Sequence, residues 1–319
     1  MSPPRETGGG PGGVGVIVTV PPHATFLAEV AAHPLVVGLR LNTVMPVKGP
    51  LEAALERLAG LGQPLWLDLK GRQLRVAEAA VPPFTAVRLS HRVKVRTPAR
   101  ALFGNGHEAA RVLEVDGDRL ILEDGPRRVL GPGESVNIPC PSLEVEGVLT
   151  VNDEQVVRAA RAVGLHDYML SFVEAPQDVE AVRALDPEAR VVAKLESQRG
   201  LAYAREHAGG GVRFMAARGD LFLELARPHH VLRALKDVLA LDPQAIVASR
   251  VCDSLAHDLE PSCQDITDVA YLLSLGYRTL LLGDEVCLRR DSVLSALNLL
   301  EAIAAGARDE GAGRPGGDG

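Results

Sequence analysis

Positive charge is not in excess in this chain: 34 Lys and Arg stand against 41 Asp and Glu, a formal net charge of −7 over 319 residues. No global field exists to hold a polyanion, which excludes nucleic acid as a partner. Cysteine is scarce, and Cys140, Cys252, Cys263 and Cys287 form no CxxC pair. Neither a disulfide framework nor a zinc knuckle is indicated, and a reducing, cytoplasmic setting is expected. No apolar run approaches the roughly 20 residues of a membrane span. The Pro/Gly-rich residues 1–13 hold no apolar segment of an export signal. No Gly-Lys-Ser/Thr follows the triplets at Gly8–Gly10 or Gly209–Gly211, so these glycines read as tail and loop rather than a phosphate loop. His229-His230, after Pro228, reads as a polar turn, and Cys252 has no basic partner in sequence that would make it a nucleophile.

What is present suffices for a sizeable core: 46% of residues are hydrophobic and 24% charged, which suits one large domain carrying a small insert. Residues 1–13 and 307–319 are expected to be disordered, since few of their groups could repay ordering entropy. Between them, short apolar runs at 15–20, 35–41, 65–69, 167–172, 190–195, 212–217, 245–251 and 278–282 read as strands. Segments of helical period alternate with them, at 51–59, 154–163, 178–185 and 266–275. Near-continuous apolar strands alternating with helices imply parallel strands buried on both faces. Eight such units predict an α/β fold, a (β/α)8 TIM barrel formed by 14–71 and 140–306. Residues 72–139 break the rhythm with Pro82-Pro83, Gly104-Asn105-Gly106, Asp116-Gly117-Asp118, Asp124-Gly125 and Gly131-Pro132-Gly133 between short alternating runs. They predict a small all-β domain inserted after the third barrel strand.

Barrel enzymes place reacting groups at the C-terminal ends of their strands. Here those ends are polar: Arg40-Leu41-Asn42, Asp68-Leu69-Lys70, Ser171-Phe172, Lys194-Leu195-Glu196, Ala217-Arg218-Gly219-Asp220 and Ser249-Arg250. Lys194 and Glu196, two apart on a strand, share a face. Glu196 and Asp220, on successive strand ends, could hold a hard divalent cation, Mg²⁺ or Mn²⁺, with positions left for water and substrate oxygens. Lys194 would then stabilise charge developing on a phosphoryl group or enolate. The alternative for all three is a structural ion network or helix capping. Arg40 and Arg75 could each fork onto a carboxylate or phosphate, or remain solvated surface charges.

Beyond this generic pattern, AKLESQRG (193–200) resembles the Ala-Lys-Ile-Glu-Asn-x-Glu-Gly strand of pyruvate kinases, and MAARGDL (215–221) their Met-x-Ala-Arg-Gly-Asp-Leu. VASRVCDSL (247–255) and DITDVA (265–270) follow with family-like order and spacing; GLRLN (38–42) and LDLKGRQLR (67–75) do so upstream. LEDG (122–125) and SVNIP (135–139) are similar to segments of the family's lid domain. The resemblance implies that Lys194 bridges the transferring phosphoryl group and neutralises the enolate, with Glu196 and Asp220 as metal ligands. It implies that the backbone of Ala217, Arg218 and Gly219 receives the substrate carboxylate. It places Ser249 where the enol carbon is protonated, Arg40 and Arg75 toward phosphate with Ser171 on the same strand-end surface, and Asn42 and Asp68 on a monovalent cation.

The departures bear on mechanism. Val44 stands where the family has a serine, Leu69 where it has a threonine, and Gln73 where it has a glutamate, which counts against K⁺. The insert is shorter than the family's lid, and the family's C-terminal allosteric domain is expected to be missing, with one of its subunit contacts; a homo-oligomer is compatible with what is left. Two enzyme readings follow. One is phosphoryl transfer between phosphoenolpyruvate and ADP; the other is a metal-dependent lyase or aldolase acting on pyruvate, oxaloacetate or another 2-oxo acid without nucleotide. A third, a catalytically dead binding protein, would make joint retention of Lys194, Glu196, Asp220, Arg218 and Arg75 a coincidence.

Overall fold

The computed structural model describes residues 13–312. The chain enters a barrel with β1 (Gly15–Thr19), α1 (Leu27–Ala31), β2 (Val36–Asn42), α2 (Leu51–Ala59) and β3 (Leu65–Leu69). It then leaves for seven short strands: β4 (Ala86–Arg88), β5 (Val93–Lys94), β6 (Ala99–Phe103), β7 (Glu108–Asp116), β8 (Arg119–Leu122), β9 (Val136–Asn137) and β10 (Glu144–Val145). The barrel resumes with α3 (Val151–Ala162), β11 (Asp167–Leu170), α4 (Pro176–Leu185), β12 (Arg190–Leu195), α5 (Gln198–His207), β13 (Arg213–Ala217), α6 (Arg218–Glu224) and α7 (Val231–Leu241). It closes through β14 (Ile246–Ala248), α8 (Cys263–Leu275), β15 (Thr279–Leu282), α9 (Asp284–Cys287) and α10 (Arg290–Ala312).

Eight strands close in the order β1-β15-β14-β13-β12-β11-β3-β2, every neighbouring pair parallel. This is the (β/α)8 barrel that the apolar runs predict, and the cause is visible in burial. Successive side chains of a barrel strand point alternately to the barrel interior and to the helices, and both faces are dry. Ile17, Val37, Trp66, Met169, Val192, Met215, Ile246 and Leu281 fill the interior, while Val16, Leu39, Leu67, Leu170, Val191, Phe214, Val247 and Leu280 pack outward.

Two strands stop two or more residues short of their apolar runs. β11 ends at Leu170, because Phe172 turns left-handed with φ 51°; β14 ends at Ala248, because Ser249 (φ 70°) and Arg250 (φ 56°) do the same. Non-glycine residues rarely adopt this conformation, so no sequence signal marks it. Helices α3 and α8 begin three residues before their periodic segments, since Thr150 and Ser262 form capping boxes with Asp153 and Asp265 ahead of the first apolar position.

In the insert, β4-β8-β7-β6-β9 form an antiparallel sheet, with β5 and β10 paired separately. Its core includes Val76, Phe103, Val112, Leu120, Val136 and Ile138. Leu143 belongs to that core and β10 to that fold, so the β-rich segment runs past the return at 140 that the turn signals predict. At the other end of the chain, α10 carries helical backbone to Ala312, six residues into the segment expected to be disordered from 307; residues 1–12 and 313–319 lie outside the described residues. No helix among the described residues is long and apolar enough to cross a membrane.

Where the insert departs, Asp153 fixes the turn. Its carboxylate accepts from Lys70 N at 2.8 Å, Gly71 N at 3.1 Å, and Thr150 N and Oγ1 at 2.9 and 2.8 Å, with no part of the residue exposed. Gly71 has φ 49°, and a Cβ there would sit 2.7 Å from Ser171 O. Replacing Asp153 with alanine strands buried amides and removes a cap, so Asp153→Ala should lower stability by about 3 kcal/mol in urea unfolding. A loss below about 1 kcal/mol would show that water can replace the carboxylate.

Candidate active site

The floor of the barrel mouth is organised by Asp68, near the end of β3 and wholly buried. Arg40 from β2 donates to its Oδ2, Lys70 Nζ lies 2.9 Å from the same oxygen, and Lys194 Nζ from β12 lies 3.2 Å from Oδ1. Burial pushes the Asp68 carboxyl upward, but the charges of Arg40, Lys194 and Lys70 outweigh it and hold it well below the usual carboxylate range. Burial acts on Lys70 more strongly than Asp68 can offset, and brings its ammonium down to about 8. Arg40 is fixed from three sides, since its Nη1 also donates to Thr19 Oγ1 (2.9 Å) and Asp284 Oδ1 (3.0 Å).

Period two along β12 carries Lys194 and the following Glu196 to one face, and the structure puts them together: Lys194 Nζ is 3.3 Å from Glu196 Oε1 and donates to Ser171 Oγ at 2.7 Å. Burial opposes the charge on Lys194, yet Asp68 and Glu196 outweigh it and raise its pKa. Glu196 Oε2 accepts from Phe172 N at 2.8 Å, a bond that the left-handed turn at Phe172 makes possible. Burial, with the like charge of Asp220 adding and Lys194 opposing, pushes the Glu196 carboxyl up to about 7. Asp220, in the first turn of α6, accepts from Gln73 Nε2 and Asn137 Nδ2, both at 3.0 Å. Asn137 Nδ2 also reaches Glu224 Oε1 at 3.0 Å, and burial pushes that carboxyl up to about 7 as well.

Glu196 and Asp220 therefore offer hard oxygen donors from adjacent strand ends, two carboxylates whose like charges oppose each other. A divalent cation fits that donor set and would offset that charge. Among the described residues, no group of three or more His, Cys, Asp or Glu converges as a ligand set. The protein would supply two ligands, and water and substrate oxygens the rest.

On the opposite rim, Gly219 lets α6 approach Ser249: a Cβ there would stand 3.3 Å from Ser249 Cβ. The role expected of Arg218 is one of its backbone, and its side chain is engaged away from the cavity. It forks onto Asp268 (2.7 and 2.8 Å) and donates to the carbonyls of Ser249 and Arg250 (both 3.1 Å), holding the left-handed turn. A cavity of about 470 Å³ opens between these groups, lined by Arg40, Lys194, Gly219, Asp220 and Ser249 and by Asn105 and His107 of the insert. Glu196 and Ser171 stand behind Lys194, and Ala217 is buried at the end of β13.

Three residues singled out in the sequence are placed differently. Arg75 donates to Gln73 Oε1 at 2.6 Å and to the Gly133 carbonyl, and with Lys70 it lines a second cavity of about 450 Å³ rather than the one beside Lys194. Asn42 gives its amide to Asp284 Oδ2 at 2.9 Å, and Asp68 is engaged by three cationic side chains. Sequence reasoning assigned no role to Lys70, Asn137, Glu224 or Asp284. Lys70 and Asn137 lie inside the family-like segments 67–75 and 135–139, which was the available signal; Glu224 and Asp284 lie outside the segments singled out.

The chain matches the family model described as pyruvate kinase, barrel domain, over residues 84–287. It is 26% identical over 279 residues to the pyruvate kinase of Lactobacillus delbrueckii subsp. bulgaricus (77% of this chain, 46% of that protein). It is 26% identical over 267 residues to that of Thermoplasma acidophilum (74% and 47%), and 23% identical over 310 residues to that of Methanocaldococcus jannaschii (91% and 68%). The chain thus spans about half the length of the first two relatives.

The titration of Glu196 has a sign that stability measurements can check. Its folded pKa of about 7 lies above the ordinary carboxyl value of 4.5, so the folded state binds the proton more tightly between those values. Stability contributed by the protonated form is fully present below pH 4.5 and is lost as pH rises to about 7. In metal-free protein, thermal unfolding of wild type relative to Glu196→Gln should show this decline across that window and a plateau above it. A pH-independent difference would mean that Glu196 titrates normally.

Proposed function

Because the chain belongs to the pyruvate kinase family, we propose that the cavity beside Lys194 takes phosphoenolpyruvate and passes its phosphoryl group to ADP through a pyruvate enolate. The observation that carries this is the position of Lys194 Nζ, held by Asp68 (3.2 Å), Glu196 (3.3 Å) and Ser171 (2.7 Å) on the wall of the cavity of about 470 Å³. The bond between the enol oxygen and phosphorus breaks as a β-phosphate oxygen of ADP takes the phosphoryl group. The enolate left behind accepts a proton at its methylene carbon and becomes pyruvate. Lys194 and Arg40 place fixed positive charge where the enolate and phosphoryl oxygens develop negative charge, and burial keeps that charge from being screened. The backbone of Ala217 to Gly219 orients the substrate carboxylate, and Ser249 sets a hydroxyl at the face where carbon is protonated. Mg²⁺ or Mn²⁺ on Glu196 and Asp220, when bound, adds charge to the same oxygens. Lys70 and Arg75, across Asp68, face the second cavity, where nucleotide phosphates would lie. Val44, Leu69 and Gln73 stand where the family has oxygen-bearing side chains of its K⁺ site, so the reaction is expected to need no K⁺.

One observation favours a second reading, a metal-dependent lyase that forms the same enolate by cleaving a carbon–carbon bond of oxaloacetate or a 4-hydroxy-2-oxo acid. In the cavity beside Lys194 the insert contributes Asn105 and His107 and no lysine or arginine, which leaves a nucleotide's phosphates Lys70 and Arg75 of the second cavity.

Assays with Mg²⁺ or Mn²⁺ should show pyruvate formation from phosphoenolpyruvate that depends on ADP. Pyruvate formation from oxaloacetate or a 4-hydroxy-2-oxo acid alone would replace the kinase reading with the lyase reading. Lys194→Ala should lower kcat about a thousandfold in whichever reaction occurs. Exchanging K⁺ for tetramethylammonium should leave the rate unchanged; a K⁺-stimulated rate would show that the ion binds despite Val44, Leu69 and Gln73.

A further inference from the structure

The insert reaches the carboxylates of the barrel mouth through two neutral amides. Gln73, where the chain leaves the barrel, donates to Asp220 Oδ2 at 3.0 Å. Asn137, on β9 of the insert sheet, donates to Asp220 Oδ1 and to Glu224 Oε1, each at 3.0 Å. The partners fix both amide orientations. Arg75 can only donate, so it takes Gln73 Oε1 and turns the NH₂ toward Asp220. The two carboxylates accept, so the NH₂ of Asn137 faces them. Asn137 is 2% exposed, and its Oδ1 has no hydrogen-bond partner. Its side chain is thus committed to its donor end at the expense of its acceptor. Asp220 and Glu224 lie one turn apart on α6, where like charges repel, and the Asn137 amide bridges them. The tip of the insert lands on the same helix: a Cβ on Gly106 would stand 2.7 Å from Leu223 Cδ2.

We propose that Gln73 and Asn137 are positioning residues of the divalent-cation site, so that seating the insert on α6 sets both oxygens of Asp220. The inference rests on Glu196 and Asp220 being the cation ligands. An amide hydrogen occupies one lone pair of each Asp220 oxygen and leaves the other for a cation at the cavity, where Asp220 is part of the wall. Being neutral, the amides orient the carboxylate without the positive charge by which a lysine or arginine would repel the ion. Outer partners of metal-binding carboxylates typically contribute 10–100-fold in affinity. Coupling is reciprocal: if the seated insert tightens the cation, the cation tightens the insert.

The test is Mn²⁺ titration followed by electron paramagnetic resonance of the free ion, with hydrogen exchange of residues 99–137 in the presence and absence of Mn²⁺. Asn137→Leu changes β9, and Gln73→Met changes the segment by which the chain leaves the barrel, so one remains informative if the other fails to fold. Each should weaken Mn²⁺ by roughly 10–100-fold, and each should abolish the protection of the insert that Mn²⁺ gives in wild type. Asp220→Asn serves as the control and should remove binding. If Asp220→Asn loses Mn²⁺ while both folded amide variants keep wild-type affinity and Mn²⁺-dependent protection, the positioning role is overturned. If Asp220→Asn itself binds as wild type does, the cation reading beneath it fails instead.

Discussion

A carboxylate with no exposed surface would be strongly disfavoured in a barrel interior, and Asp68 is tolerated there because it meets Arg40, Lys70 and Lys194 together. The dependence is mutual. Those cations are themselves buried, and each would pay its own desolvation without the aspartate between them. Since Arg40 comes from β2, Asp68 from β3 and Lys194 from β12, the cluster exists only when β2, β3, β11 and β12 close in register. Fold and candidate chemistry therefore share one constraint. The charge that would act on an enolate is the charge that makes burial of Asp68 possible.

The same economy governs the connection between barrel and insert. Asp153 satisfies the amides of Lys70 and Gly71, the residues at which the chain turns out of the barrel, while capping α3, the helix by which it returns. Exit and return are tied to a single carboxylate. Two residues beyond that turn, Gln73 is aimed at Asp220, so the geometry at the root of the insert reaches directly into the mouth of the barrel. The insert is covalently attached at one edge and held across the opening by polar contacts to α6.

Much of this was legible in the sequence, for reasons that also explain what was not. Barrel strands stood out because burial on both faces demands continuous apolar runs. Their ends did not, because Phe172, Ser249 and Arg250 adopt left-handed conformations without a glycine to announce them. Lys194 and Glu196 were readable as neighbours because a strand's period is two. The direction of Arg218 was hidden, since its partner Asp268 lies 50 residues away on another helix. Arg75 read as phosphate-facing, but its direction depends on Gln73 and on Gly133 in the insert, contacts that no local period encodes. The bond from Asn137 to Asp220, across 83 residues, likewise follows only from how the insert is seated.

The two cavities are best understood as neighbours across one ion cluster. Lys194 lines the first and Lys70 the second, and both lie against Asp68. Burial is the largest cause that brings Lys70 down to about 8, and Lys194 is among the others. Any charge introduced in one cavity must consequently be felt at Asp68 and, through it, in the other. Lys194, Arg40 and Lys70 thus form a row of charges against Asp68 that the barrel has already arranged and desolvated, so an anion bound beside it would meet surroundings that need little reorganisation.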